Sequence, residues 1–439
     1  MGDLQYTDQA MKERFSGKRV LLYGMGRWIE NHHWWLKRYF HIVAAYDRDQ
    51  SKKKKSEEEF GIPFYSLEEL KEKKYDTILI TSTYVTEISN YLRGELKLDV
   101  EIVSGDDLYE EWMEQHSHGQ MDHFGDKYKD LDFCIIQRGK GTNGAGLFSM
   151  FCYCIRGLKQ AEEQGCIPVI DMKNCYSCYH DCFEQVGKIN VWELFFEQLQ
   201  TEYKLDDIWN AYNVTLSDYY EVLEADLITD LTVRAEWHSL YKKYIRISDR
   251  VQKEYDLIKK KIMEPHLNNG EKILGVSVRG TDYTKKKPYK HYIQPSKEQI
   301  AEKIREVMEP WGITKIYVNS DEEASINYMK EQFPGKVFAM DYKRFDSFSS
   351  GEYQLIGDIK FERENDGYRR GADYLISTLL MQECQCYMSG KNCSSTATLI
   401  MTEGFEHEYL FDDGRYGFED DAYAFTPDGY PIYVNKDKN

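Results

Sequence analysis

Short apolar runs, each followed by a turn rich in glycine or hydroxyl residues and then by a stretch of helical period, recur in three series along the chain. The first series opens with the run at 19–23, continues through Gly24-Met-Gly26 into a helical pattern, and returns to an apolar run at 43–46 that ends in Asp47. Ser66-Leu-Glu-Glu69 then has the form of a capping box, and a further run follows at 77–81. A polar stretch at 110–130 reads as a linker. The second series runs from an apolar segment at 132–137 through a glycine-rich turn at 138–146, a helix at 147–164 and a strand at 167–170 ending in Asp171. Charged helices are expected over 219–261. The third series begins with Ile273, Leu274, Val276 and Val278. A capping box at Ser296-Lys-Glu-Gln299 opens its first helix, which should run to about 309. Next come a strand at 315–319, a second capping box at Ser320-Asp-Glu-Glu323, and a strand at 336–340. An apolar helix should follow Asp373 to about 381, and a last strand from Cys386 should enter the turn 389–396. Alternation of this kind predicts three α/β units, at 1–115, 131–270 and 271–439.

The candidate chemistry lies where strands end. Arg279-Gly280-Thr281-Asp282 follows the first strand of the third series. Open α/β sheets bind ligands outside their carboxyl ends, so Arg279 is placed to grip a phosphate with its planar fork. An Arg–Asp pair that merely staples a loop is the alternative. The turn at 138–146, with Gly139, Asn143 and Gly144, could bring backbone amides close to an anion, or could simply let its helix pack tightly. In the first series the third glycine of a dinucleotide fingerprint is Ile29, although Asp47 stands where the ribose-binding acid would. A retained fold without dinucleotide is the expectation there, with NAD binding as the alternative. The aromatic stretch at 190–198 reads as core, the sharper alternative being a surface that stacks on a sugar.

Composition narrows the partners. A net charge of −18 over 439 residues argues against nucleic acid and anionic membrane, without forbidding a locally basic pocket. No apolar stretch has the length of a membrane span and the first residues lack a signal-peptide core, so the expected address is the cytoplasm. Ten cysteines fit reduced thiols. Cys175, Cys178, His180 and Cys182 have the spacing of a partial zinc set, but no second pair completes it, and loop thiols are expected.

The motifs V-R-G-T-D-Y at 278–283, I-Y-V-N-S-D-E-E at 316–323, R-G-A-D at 370–373, M-S-G at 388–390 and S-S-T-A at 394–397 together resemble a known family. They look like the donor half of GDP-fucose-dependent fucosyltransferases, of the α1,6- and protein-O-fucosyltransferase type with bacterial relatives, over residues 270–405. The first series is similar to short modules attached to bacterial polysaccharide-biosynthesis proteins. The resemblance implies a GT-B pair of facing Rossmann-like domains preceded by an additional Rossmann-like module. It also implies inverting transfer of fucose, or a related sugar, from a GDP-sugar to a saccharide acceptor in surface-glycan assembly. On that resemblance Arg279 holds the donor β-phosphate, Ser394 or Ser395 adds hydroxyl contacts, and Asp373 sits near the guanine, with Asp321 and Ser389 in the same donor set. Gly139, Asn143 and Gly144 match the family's acceptor-half loop. Two positions depart from the pattern: Ser277 stands where the family has His, and Gly280 where it has a second Arg. No cofactor or metal is expected, since an arginine can stabilise the leaving diphosphate and no D-x-D lies near the donor motifs. Asp282, His291 and Asp171 are the candidate bases, with Glu193 further removed; His291 has the side chain suited to proton transfer near neutrality. Two other classes remain open: a non-catalytic nucleotide- or sugar-binding protein, and an NAD-dependent oxidoreductase using the first module. The oligomeric state is not readable.

Overall fold

A computed structural model describes residues 8–72, 74–82, 84–115, 119, 121–137, 146–174, 177–217, 225–279, 291–344, 360–416, 422–425 and 431–434. The chain forms two compact units. One comprises 1–143, 157–194 and 198–220; the other comprises 144–156, 195–197 and 221–439.

The first unit contains two sheets. Strands β1 (Arg19–Tyr23), β2 (His41–Tyr46), β3 (Thr77–Ile80) and β4 (Glu101–Ser104) lie parallel in the order β2-β1-β3-β4. The period of two sorts their side chains cleanly. Val20, Leu22 and Leu79 pack to one face with Trp35 and Leu36, while Leu21, Tyr23, Ile78 and Ile80 pack to the other with Leu70. The second sheet holds β5 (Met121–Asp122), β6 (Lys127–Gln137), β7 (Ile167–Asp171) and β8 (Ala211–Leu216) in the order β5-β8-β6-β7. Here β6 runs parallel to both neighbours and β5 antiparallel to β8. One apolar core serves both sheets, since Phe133, Ile135, Val214 and Leu216 belong to the same cluster as Val20 and Trp35. Arg38 reinforces the join by donating to the Trp209 carbonyl at 2.8 Å and lying 5.2 Å over the Trp209 ring.

The second unit is built on an all-parallel sheet of β9 (Ile273–Val278), β10 (Lys315–Ser320), β11 (Val337–Phe338), β12 (Cys386–Gly390) and β13 (His407–Phe411). Its order is β11-β10-β9-β12-β13, so the chain steps outward from β9, then returns to its other side for β12. That reversal is the topological switch point of a Rossmann-like sheet. Strand β9 is buried at every position, as a central parallel strand must be. A small antiparallel pair, β14 (Ala422–Phe425) and β15 (Pro431–Val434), follows.

Four stretches differ from their expected form, the first being the linker expected at 110–130, which holds the end of the helix Gly105–Gln115, β5 and the start of β6. The strand expected at 336–340 shrinks to Val337–Phe338, at the sheet edge. The capping box expected at Ser320 does not form: the helix Glu323–Gln332 has Glu322 at its N-cap, and Ser320 Oγ accepts the Glu322 amide at 3.2 Å. Arg369–Asp373 lies inside the helix Asp366–Leu379 rather than ahead of it. Tyr368, Ala372, Leu375, Ile376 and Leu379 are all buried at helical spacing, and that apolar stripe carries the helix back to Asp366. Gly371 lies against Phe195, whose ring atoms would be 2.2–2.4 Å from a Cβ placed there.

Candidate functional site

The carboxyl ends of β10, β9 and β12 set three charged residues in one row. Ser320 pairs with Val278, and Ser277 pairs with Ser389. Continuing each register beyond the strand ends aligns Asp321 with Arg279, and Arg279 with Lys391. Neighbouring strands are about 4.8 Å apart, so these three strand ends lie side by side across the switch point. Arg279 Nη1 donates to Asp321 Oδ2 at 2.9 Å, with the two side chains 23% and 13% exposed. Two side chains from the segment after β11 fix the end of β10. Tyr342 Oη donates to the Ser320 carbonyl at 2.8 Å, and Arg344 Nε donates to the same oxygen at 3.0 Å.

On the other side of β9, the helix Cys393–Met401 starts directly after Lys391-Asn392. Asn392 is its N-cap: Oδ1 accepts the amides of Ser394 and Ser395 at 2.9 and 3.0 Å. Ser395 Oγ accepts the Asn392 amide at 2.9 Å and donates to the Asn392 carbonyl at 2.8 Å, which commits that hydroxyl to the cap. Ser394 lies one position earlier and is buried apart from a 6% exposed fringe. Ser389 is fully buried, and its Oγ donates to the Gly390 carbonyl at 2.9 Å.

Asp373 takes part in a network that joins its helix to Arg363, just ahead of the helix start. Arg363 Nη1 donates to its Oδ2 at 3.0 Å and Arg363 Nε to Asp366 at 2.7 Å, while Arg370 donates to Asp366 at 2.9 Å. Burial pushes the Asp373 carboxyl up, and Arg363 pulls against it. The next residue, Tyr374, packs edge-on to Phe148 at 5.1 Å. Burial raises its hydroxyl, Arg279 opposes the shift and Asp321 adds to it. Tyr374 therefore shares the surroundings of the Arg279–Asp321 pair, and it was not among the expected site residues. Its only signal was one position beyond a motif aspartate.

His291 is exposed, and its carbonyl accepts the Tyr416 amide at 2.9 Å. Asp282 and the turn residues Gly139, Asn143 and Gly144 lie outside the described residues. Asp171 is buried and accepts from Trp209 Nε1 at 2.7 Å, Asn174 Nδ2 at 2.6 Å and the Lys173 amide at 2.9 Å. Burial raises its pKa, but its lone pairs are spent on holding the turn after β7, which makes it a structural acid. Exposed Glu193 accepts from Asn190 and Gln198 at 3.0 and 3.2 Å. Trp192, Phe195 and Phe196 are fully buried, so the aromatic stretch is core.

In the first module, Asp47 Oδ2 accepts the Met25 amide at 2.8 Å and Lys52 Nζ at 2.8 Å. The acid that could meet a ribose instead closes the glycine turn on itself, and Ile29 is fully buried in the core. His180 is buried with Nδ1 accepting the Ser177 amide at 3.1 Å. Among the described residues, no group of three or more His, Cys, Asp or Glu is arranged to hold a metal ion. Nor is any described helix long and apolar enough to cross a membrane.

A family model described as C2185-like, N-terminal, matches residues 16–102, the stretch that holds β1 to β3 and the first half of β4. No curated protein matches the sequence. Among solved structures, the fucosyltransferase NodZ from Bradyrhizobium is similar at 15% identity and a TM-score of 0.34, over 59% of this chain and 87% of that one. POFUT1 in complex with GDP is similar at 13% identity and a TM-score of 0.28, over 71% of this chain and 80% of that one.

Lys391, not among the expected site residues, follows the neighbouring strand β12. Its sequence signal matches that of Arg279, a cation directly after a buried strand. What the sequence alone hides is that β12 lies next to β9, so that the two cations leave neighbouring strand ends.

Proposed function

We propose that this chain is an inverting glycosyltransferase that takes a GDP-sugar, with fucose or a related sugar as the transferred group, to a saccharide acceptor. One observation carries the reading: an all-parallel sheet whose switch point is flanked by Arg279 directly after β9 and by the start of the helix Cys393–Met401 after β12. A fixed cation and a helix N-terminus on the two sides of a switch point are what a nucleoside diphosphate requires of its binding site. The motif resemblance over 270–405 names guanine and fucose. Ser277 and Gly280 are the positions at which base and sugar preference should be sought.

In this reading the second unit binds the donor, and the sheet of β5 to β8 with the turn 138–146 forms the acceptor half of a GT-B pair. Leaving-group charge is met by Arg279 and by the dipole of the 393–401 helix, without a metal. The acceptor hydroxyl loses its proton to His291 or Asp282, which belong to the chain segment that starts at Arg279. The proposed setting is cytoplasmic assembly of a bacterial surface glycan. The deciding experiment offers GDP-, UDP- and dTDP-sugars to the protein with short oligosaccharide acceptors. Preference for a GDP-sugar, with transfer and inversion, is the expected result. Preference for a UDP-sugar removes fucosyl transfer; turnover of none of them leaves a nucleotide- or sugar-binding protein.

A further inference from the structure

Four charges gather at the carboxyl end of β12. Lys391 Nζ lies 2.5 Å from Asp226 Oδ1 and 2.6 Å from Asp412 Oδ2. Arg415 Nη2 donates to Tyr292 Oη at 2.6 Å, its guanidinium lies 3.9 Å over the Tyr292 ring, and it stands 3.5 Å from Asp226 Oδ2. Tyr292 Oη donates in turn to Asp226 Oδ2 at 2.9 Å. Two cations and two carboxylates leave the cluster formally neutral.

The partners are not equivalent. The Lys391 and Arg415 side chains are 7% and 4% exposed, and Asp226 is 22% exposed, whereas Asp412 is 65% exposed. A buried ammonium needs a counter-ion, and Asp226, tied to Arg415 and Tyr292 as well, is the fixed one. An ion pair to a carboxylate as exposed as Asp412 is worth about 0–1 kcal/mol and is cheaply opened. The same pattern holds along the row: Arg279 is held by Asp321, and the amides of Ser394 and Ser395 by Asn392. Each of these anion-binding groups carries an acceptor from its own chain.

We propose that Lys391 is a second cation for the donor's diphosphate, and that Asp412 is the displaceable counter-ion that occupies it until the donor arrives. Ser277 pairs with Ser389 on adjacent strands, and Arg279 and Lys391 each follow two residues later, so cations leaving neighbouring strand ends could span two linked phosphates better than one. Departure of Asp412 gives the cluster a net charge of +1 while Asp226 still anchors Arg415 and Tyr292. The proposal rests on the donor-site reading above.

The test is calorimetry with whichever of GDP and UDP binds tighter, and with its monophosphate, on wild type, Asp412→Asn, Lys391→Met and the double variant. Asp412→Asn should bind the diphosphate about two- to fivefold tighter, by removal of one exposed competing ion pair. The monophosphate should gain less. Lys391→Met should weaken diphosphate binding by at least about tenfold and cancel the gain in the double variant. A purely structural cluster predicts the opposite sign for Asp412→Asn, so that exposed variant decides the matter even if Lys391→Met fails to fold. Wild-type binding with no gain in Asp412→Asn, or a gain that survives Lys391→Met, overturns this role and leaves the donor site standing. Failure of wild type to bind either diphosphate overturns both.

Discussion

Arg279 and His33 show two ways in which one residue carries weight. Arg279 is a cation whose fork is oriented by Asp321 at 2.9 Å before any ligand arrives. Arg279→Ala should weaken nucleoside diphosphate binding by about 1.5–3 kcal/mol, the range for a charge-assisted hydrogen bond. Equal affinity of wild type and variant in calorimetry would remove Arg279 from the site. Its place directly after a buried strand was legible in the sequence, because the apolar run that makes the strand is a local signal. That Lys391 leaves the strand beside β9 was not, because the pairing of β9 with β12 joins residues far apart in the chain. His33 is 2% exposed, packed edge-on to Phe60 at 5.3 Å. Burial, and secondarily Lys37, lower its pKa to about 3. The folded state thus resists a proton that the unfolded chain accepts below about 6.5. Its contribution is intact above that value and is lost as pH falls from about 6.5 toward about 3, a cost on the order of 4 kcal/mol at the lower end. His33→Leu should flatten the melting temperature over that window; an unchanged acid slope would assign it to another group.

At the scale of elements, strands and caps were the most legible features. Strand β1, the helix Leu147–Gln164 and the boxes at Ser66 and Ser296 appear as the pattern requires, because apolar period and cap chemistry are local. The box expected at Ser320 failed because that serine ends β10, where its carbonyl is engaged by Tyr342 and Arg344. Tertiary contacts decided the helix start, and the local signal could not show them. The helix Asp366–Leu379 makes the same point. The helix was expected to follow Asp373, yet Arg369 pairs with Glu254 at 2.7 Å and Arg370 with Asp366 at 2.9 Å along the flank of an otherwise buried helix that already includes them. Gly371 lets that helix close on Phe195. Gly371→Ala should therefore destabilise the protein by about 1–3 kcal/mol through overpacking, although alanine is the better helix former. Urea unfolding gives the sign. A more stable variant would mean that Phe195 moves aside freely and that propensity dominates.

For the whole molecule, charge is the property that composition states and topology redistributes. The chain carries −18, yet its proposed ligand is an anion. Transfer should survive EDTA, because Arg279 and the 393–401 helix can meet the leaving charge, while Asp47-Arg-Asp49 is engaged by Met25, Lys52 and Ser51 within the first module and Asp130-Leu-Asp132 lies in β6, where Asp132 accepts from Asn213 at 2.7 Å. Activity lost to chelator and restored by Mn²⁺ would reverse that expectation. Ionic strength tests the balance between global and local fields. Were the row cations bare, their field would draw the nucleotide in, and salt would slow association. In the free protein they are neutralised, Arg279 by Asp321 and Lys391 by Asp226 and Asp412, so little local attraction is left to offset the net negative charge. The Debye length shortens from roughly 30 Å at 0.01 M salt to about 8 Å at 0.15 M, which screens the distant carboxylates first. The association rate for GDP in stopped flow should therefore rise over that range, while the dissociation rate, set by direct contacts, also rises. An association rate that falls with salt would show that the edge presents open positive charge, and that its internal counter-ions leave before the ligand makes contact.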